Sequence, residues 1–208
     1  AYDKTFSFVE SIPKKERKKY GQFFTSRRIA EFMSDLFTID FTKRDIRLLD
    51  AGAGTGLLTA ALVVRLRNSG YIGEITAVCY ENDENVLSVL SNNLENLKEN
   101  FDIKYEIRTD NYLLSQQFVG TDLFTETVEQ YDMVIGNPPY LKILKDAPEA
   151  KSMSEICYGA PNLYFLFYFS CSSSNDSCEV SAIEAGHTDN IRDERLFILR
   201  HTGSVSVH

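Results

Sequence analysis

From Ser26 onward, apolar residues recur at helical spacing: Ile29, Ala30, Phe32, Met33, Leu36 and Phe37, with Ser26 placed to cap the first turn. Arg47-Leu-Leu-Asp50 is a short apolar run halted by glycines, which predicts a buried strand. A helix follows over Leu57 to Leu66. A second strand is predicted over Glu74 to Tyr80 and a second helix over Glu84 to Lys98. Ile103 to Arg108 alternates as a third strand that leads to Asp110, and Tyr131 to Ile135 forms a fourth that runs into Gly136-Asn137. Strands alternating with helices predict an α/β fold with a mostly parallel sheet and helices on both faces. No internal repeat interrupts the pattern.

The two ends differ from this middle. Residues 1–25 are polar and basic, then aromatic around Tyr20-Gly21-Gln22-Phe23-Phe24. They are expected to form a basic N-terminal segment ahead of the core. Residues 26–169 carry the alternating pattern and are expected to form the core. From about residue 170 the chain reads Cys-Ser-Ser-Ser-Asn-Asp-Ser-Cys and then loses sustained periodicity. That stretch, 170–208, fits sequence unrelated to the domain better than a terminal extension, so the sheet is expected to be incomplete at its C-terminal end. Residues 141–160 are expected to be a loop.

Composition narrows the class. At 208 residues the chain suits one α/β domain, and its apolar and charged fractions are those of a soluble protein. No run of eighteen apolar residues exists and no basic-then-apolar leader opens the chain, so the expectation is a cytoplasmic protein that does not contact a membrane. Cys79, Cys157, Cys171 and Cys178 form no CxxC pair. His187, His201 and His208 are too widely spaced for a compact ligand set, and no metal is expected. The net charge of −8 is unfavourable for a nucleic-acid binder. It is uneven, however, because Lys14, Lys15, Arg17, Lys18, Lys19, Arg27 and Arg28 cluster with only Glu16 opposing them. Such a run suits either a solvated helix face or a polyanion contact.

Candidate chemistry lies at the strand ends. Asp50-Ala-Gly52-Ala-Gly54-Thr-Gly56 follows a strand and opens a helix, where glycines let the backbone approach a ligand closely. Nicotinamide, flavin and methyl-donor sites share such a loop. Asp50 favours the last: a carboxylate repels a pyrophosphate but attracts the ammonium and sulfonium of S-adenosyl-L-methionine. Glu81, at the end of the second strand, is placed to accept hydrogen bonds from ribose hydroxyls, while Asp83 caps the next helix. Asp110 ends the third strand at the same carboxyl edge.

The fourth strand runs into Asn137-Pro138-Pro139-Tyr140. Two prolines stiffen the backbone immediately after Asn137. The Asn137 side-chain oxygen and the Pro138 carbonyl are two acceptors able to hold both hydrogens of one amino group. Tyr140 offers a flat face for a heteroaromatic base. A rigid corner filled by a tyrosine is the plainer reading of the same tetrapeptide.

These motifs, in this order, resemble an N6-adenine DNA methyltransferase of the gamma arrangement, as found in restriction–modification systems. Asp50–Gly56 matches that family's cofactor loop and Asn137–Tyr140 its catalytic tetrapeptide. Lys19-Tyr-Gly-Gln-Phe-Phe-Thr25 resembles its segment over the methionine end of the cofactor. The resemblance implies a Rossmann-like fold and S-adenosyl-L-methionine as cofactor. It also implies cofactor contacts from Gln22, Phe23 and Thr25, and ribose and adenine contacts from Glu81 and Asp110. The substrate it implies is an adenine flipped out of double-stranded DNA. Gly159-Ala-Pro-Asn162-Leu-Tyr164-Phe-Leu-Phe167 resembles the segment that shapes the base pocket. On the residues alone, Asn162 reads equally as a helix cap, and Tyr164 and Phe165 as core. The family's target-recognition region has no counterpart here, so DNA reading is expected from a further domain or partner subunit. A methyltransferase for protein glutamine or an RNA base remains an alternative, as does a fragment that binds cofactor without turnover.

Overall fold

The computed structural model describes residues 25–116, 129–138, 141–154, 162–173, 179–185 and 194–200. Helix α1 (Arg27–Asp35) is capped by Ser26, whose hydroxyl oxygen accepts the Ile29 amide at 3.3 Å. Strand β1 (Asp45–Asp50) then leads through the glycine loop to α2 (Leu57–Asn68). β2 (Glu74–Tyr80), α3 (Glu84–Phe101), β3 (Lys104–Arg108) and a single turn, α4 (Tyr112–Ser115), follow. β4 (Met133–Gly136), α5 (Pro148–Ser152), α6 (Leu163–Ser173), β5 (Glu179–Ala185) and β6 (Glu194–Arg200) complete the order.

The strands form one six-stranded sheet in the order β3-β2-β1-β4-β5-β6. All neighbours are parallel except β5 and β6, which run antiparallel. The period-two alternation of each strand sorts its side chains into two cores. Ile46, Leu48, Ile75, Ala77, Cys79, Met133 and Ile135 pack under α1, α2 and α3. Leu49, Val78, Tyr80 and Val134 point the other way, to Tyr112 and Leu113 of α4 and Leu166 and Cys171 of α6. Helices therefore cover both faces, as the strand–helix alternation predicts. α2 is buried at every position from Leu57 to Val63, which explains its nearly unbroken apolar sequence.

The structure corrects two expectations. α6 runs past residue 169, and Glu179–Ala185 and Glu194–Arg200 extend the sheet rather than leaving it to end at β4. The edge of β4 needs a partner for its backbone groups, and β5 supplies one in register from Met133↔Glu179 to Gly136↔Ala182. Only residues 186–193 separate β5 from β6. That is too short for a parallel crossover, so the second strand returns antiparallel. The stretch 141–160 is likewise not all loop, because Pro148 opens α5 at a position where its missing amide costs nothing. Among the described residues no helix is long and apolar enough to cross a membrane.

Arg67 ties one corner of the sandwich together. Its guanidinium donates to the carbonyls of Phe101, Tyr71, Gly73 and Asp102 at 2.8–3.0 Å, closing the end of α3 onto the turn before β2. Replacing Arg67 by Met leaves these carbonyls without their donor and is expected to cost about 2–4 kcal/mol. In urea titration this shifts the midpoint with an unchanged slope. An unshifted midpoint would show that water replaces the guanidinium without loss.

Candidate functional site

The strand order reverses between β1 and β4, and the crevice outside the carboxyl ends at such a switch point is where open α/β sheets bind ligands. The sequence puts its chemistry on this edge. The glycine loop leaves β1, Glu81 leaves β2, Asp110 follows β3, and Asn137-Pro138 leaves β4. A Cβ on Gly52 would stand 3.9 Å from Pro138 Cα, so the glycine loop and the asparagine–proline corner are direct neighbours.

The loop is held from beneath. Gly54 has φ +53° and Gly56 φ +74°, conformations that favour glycine. A Cβ on Gly56 would also meet Leu90 Cδ1 at 2.8 Å. Glu81 clamps the loop: its Oε2 accepts the Gly54 amide at 2.8 Å and its Oε1 accepts the Asp83 amide at 2.8 Å. Burial raises the Glu81 pKa above the ordinary carboxylate value, and these backbone donors oppose the rise. Each oxygen keeps a second lone pair for a ligand hydroxyl. Asp83 caps α3 through the Asn85 amide at 3.0 Å.

Asp50 is fully enclosed. Its Oδ2 accepts the Thr59 hydroxyl at 2.8 Å, while Oδ1 has no hydrogen-bond partner among the described residues. Burial pushes its pKa up to about 7, and the charge of nearby Glu81 pushes the same way. A bound cation would relieve both carboxylates, whereas a pyrophosphate would add to their repulsion. The donor set therefore fits a positively charged cofactor with ribose hydroxyls. Thr59 was missing from the sequence-derived site. Its signal was present, as the one polar residue in the apolar run Leu57-Leu58-Thr59-Ala60-Ala61-Leu62.

Asn137 is half-buried, and its amide Nδ2 donates to Thr25 Oγ1 at 3.0 Å. This bond brings the segment before α1 onto the end of β4. Pro138 is buried. Asp110 lies at the same edge but is exposed and bonds to none of the described residues. Gln22, Phe23, Pro139 and Tyr140 lie outside the described residues, as do the lysines before Thr25. Further along, Leu163 donates its amide to the Leu141 carbonyl at 2.8 Å, and Lys142 bridges Asn162, tying the segment after the corner to α6. Asn162 does cap that helix, accepting the Tyr164 amide at 3.1 Å. Tyr164 is core, but Phe165 is 67% exposed and is not. It follows the cap on the outward face of the first turn.

The fold and this edge are those of a Rossmann-like S-adenosylmethionine-dependent methyltransferase domain, and S-adenosyl-L-methionine is the cofactor they imply. A Listeria monocytogenes protein described as a class I S-adenosylmethionine-dependent methyltransferase superposes with TM-score 0.61 at 15% identity, over 89% of this chain and 54% of its own. The methyltransferase subunit of a type I restriction-modification system from Streptococcus thermophilus gives 0.55 at 19%, over 77% and 34%. The model of the Eco57I restriction-modification methylase family matches residues 35–183, and the chain belongs to that family. The match runs through β4 and α6 into β5. Among curated relatives, type II methyltransferase M.PstI of Providencia stuartii is 32% identical over 155 residues, 73% of this chain and 30% of the relative. M.BsuBI of Bacillus subtilis is 32% identical over 156 residues, 74% and 31%. The chain thus spans under a third of the length of these relatives.

Proposed function

We propose that this chain is the catalytic core of a restriction–modification DNA methyltransferase that transfers a methyl group from S-adenosyl-L-methionine to N6 of adenine. The observation that carries the reading is the close approach of Gly52 to Pro138, whose Cα lies 3.9 Å from where a Cβ on Gly52 would stand, so that the glycine loop borders the asparagine–proline corner.

Asp50 faces the cationic methionine end, aided by Gln22, Phe23 and Thr25. Glu81 takes the ribose hydroxyls and Asp110 the adenine side of the cofactor. Bound S-adenosyl-L-methionine supplies an electrophilic methyl on a sulfonium, itself a good leaving group. The target adenine is flipped from double-stranded DNA, because N6 in the stack cannot be reached. Asn137 Oδ1 and the Pro138 carbonyl accept its two amino hydrogens and hold the nitrogen in line with the methyl. Pro139 fixes the backbone, and Tyr140 stacks on the base. Catalysis is then positioning and electrostatics, with the displaced N6 proton passing to solvent. The buried acidic edge suits the cofactor, whereas duplex affinity requires basic surface. The part of the relatives' length that lies beyond this chain is where we place target recognition.

The test offers S-adenosyl-L-methionine carrying a labelled methyl, with duplex DNA, RNA and protein in separate reactions. Label in DNA alone is expected. Label in RNA or in protein glutamine with none in DNA would move the substrate class. Cofactor binding without label in any acceptor would mark a core that needs its missing part.

A further inference from the structure

We infer that Asn93, a buried residue of α3, is a positioning residue for the cofactor: it locks the Thr55–Gly56 peptide of the glycine loop and so presets the loop before anything binds. The inference rests on reading Asp50–Gly56 as the loop against which S-adenosyl-L-methionine sits.

α3 turns one face to the underside of that loop. A Cβ on Gly56 would meet Leu90 Cδ1 at 2.8 Å and Leu94 Cδ2 at 3.9 Å. Asn93 belongs to the same face at helical spacing and is fully buried. Beside these leucines an apolar side chain is the ordinary choice, because a buried amide is costly unless it is hydrogen-bonded. Its Nδ2 donates to the Thr55 carbonyl at 2.9 Å. The direction of this bond is unambiguous, since a carbonyl oxygen only accepts. The other end of the same peptide is held as well, because the Gly56 amide donates to the Ala53 carbonyl at 2.8 Å. The Ala53–Gly54 peptide is also bonded at both ends, its carbonyl by Gly56 and its amide by Glu81. Restraint is needed here because Gly54 and Gly56 flank Thr55 at φ +53° and +74°, and glycine passes between backbone regions with little steric hindrance. Without Asn93 the Thr55–Gly56 peptide would be free to rotate and exchange its C=O for its N–H on the loop's surface. A loop that visits other arrangements binds with an affinity reduced by the fraction of time it is correctly set. The bond spans 38 positions, so the sequence of the loop alone does not encode it.

Amide hydrogen exchange and calorimetric titration test the inference at a temperature where every variant is folded. In the cofactor-free, unsubstituted chain the Gly56 amide is expected to exchange well below the free-peptide rate. Exchange at that rate would overturn the inference. Asn93→Leu keeps the volume and removes the donor, and Asn93→Ala is the second variant if leucine disturbs the packing. Each is expected to speed Gly56 exchange about tenfold and to weaken S-adenosyl-L-methionine binding about tenfold. Leu97, one turn further along α3 and buried in the same core, supplies the control for a general loss of stability. Leu97→Ala should leave affinity and Gly56 exchange near their original values. Equal weakening by Leu97→Ala would reduce Asn93 to general support of the fold and overturn the inference. So would unchanged affinity in both Asn93 variants. Gly52→Val examines the underlying reading separately, since its side chain would stand against Pro138. Full affinity in that variant would place the cofactor elsewhere, a failure visible without reference to Asn93.

Discussion

Asn137→Ala is expected to lower methyl transfer by about 10²–10³-fold while leaving S-adenosyl-L-methionine affinity close to unchanged. The magnitude is that of removing one preorganised electrostatic partner from a reacting group. Asn137 sits at the end of β4, across the crevice from the carboxylates of β1 and β2. In the proposed mechanism, truncating it removes one of two acceptors for the amino hydrogens and leaves the Pro138 carbonyl, which belongs to the backbone. Residual activity above background is therefore part of the expectation. The separation of effects matters as much as their size: the loss should fall on kcat, because the cofactor loop and its Glu81 clamp are untouched. Single-turnover transfer beside a calorimetric titration measures both. Equal losses in cofactor affinity and turnover would assign Asn137 to the cofactor instead.

Asp50→Asn should have the second large effect, and in opposite directions on binding and stability. The carboxyl is buried, with a pKa near 7 against the ordinary 3.8. Because the folded value is raised, its contribution to stability is fully present below pH 3.8 and is lost as pH rises to about 7. That gap corresponds to roughly 4 kcal/mol forfeited by the cofactor-free protein at alkaline pH. The amide removes the ionisation but places a donor where Oδ1 has no partner among the described residues. The net gain is about 1–3 kcal/mol at pH 8. Thermal unfolding of the unsubstituted chain should thus fall in midpoint between pH 5 and 8, and that of Asp50→Asn should fall less. Cofactor binding runs the other way, since a cationic ligand prefers the ionised acid. Affinity of the unsubstituted chain should weaken by up to tenfold for each pH unit below about 7, and Asp50→Asn should bind weakly at every pH. Unchanged affinity in the variant would mean that the methionine end lies elsewhere.

Much of this was legible in the residues, for physical reasons that differ by element. β2 was read at its observed bounds and α2 at its start, because glycines and a switch of period punctuate them. The acidic strand ends could be aligned on one edge because a parallel sheet brings all its carboxyl ends together. β5 and β6 were not legible. Glu-Val-Ser-Ala-Ile-Glu-Ala departs from clean alternation, and the demand it answers is that of β4's open backbone edge, which no local pattern encodes. Side-chain partnerships were hidden for the same reason. Nothing in the sequence near Thr25 announces Asn137, and Glu81 was read only as a ribose ligand although it also holds Gly54 and Asp83. Long-range hydrogen bonds become visible only once the fold sets the distances.

The central claim is that the Asn137-Pro138 corner presents the exocyclic nitrogen of adenine to the methyl donor. Digesting labelled duplex DNA to nucleosides and identifying the modified one by mass spectrometry tests it most directly. N6-methyladenine, reduced about 10²–10³-fold when Asn137→Ala replaces the unsubstituted chain, is the predicted result. A label on N4 of cytosine, or on any ring carbon, would contradict it.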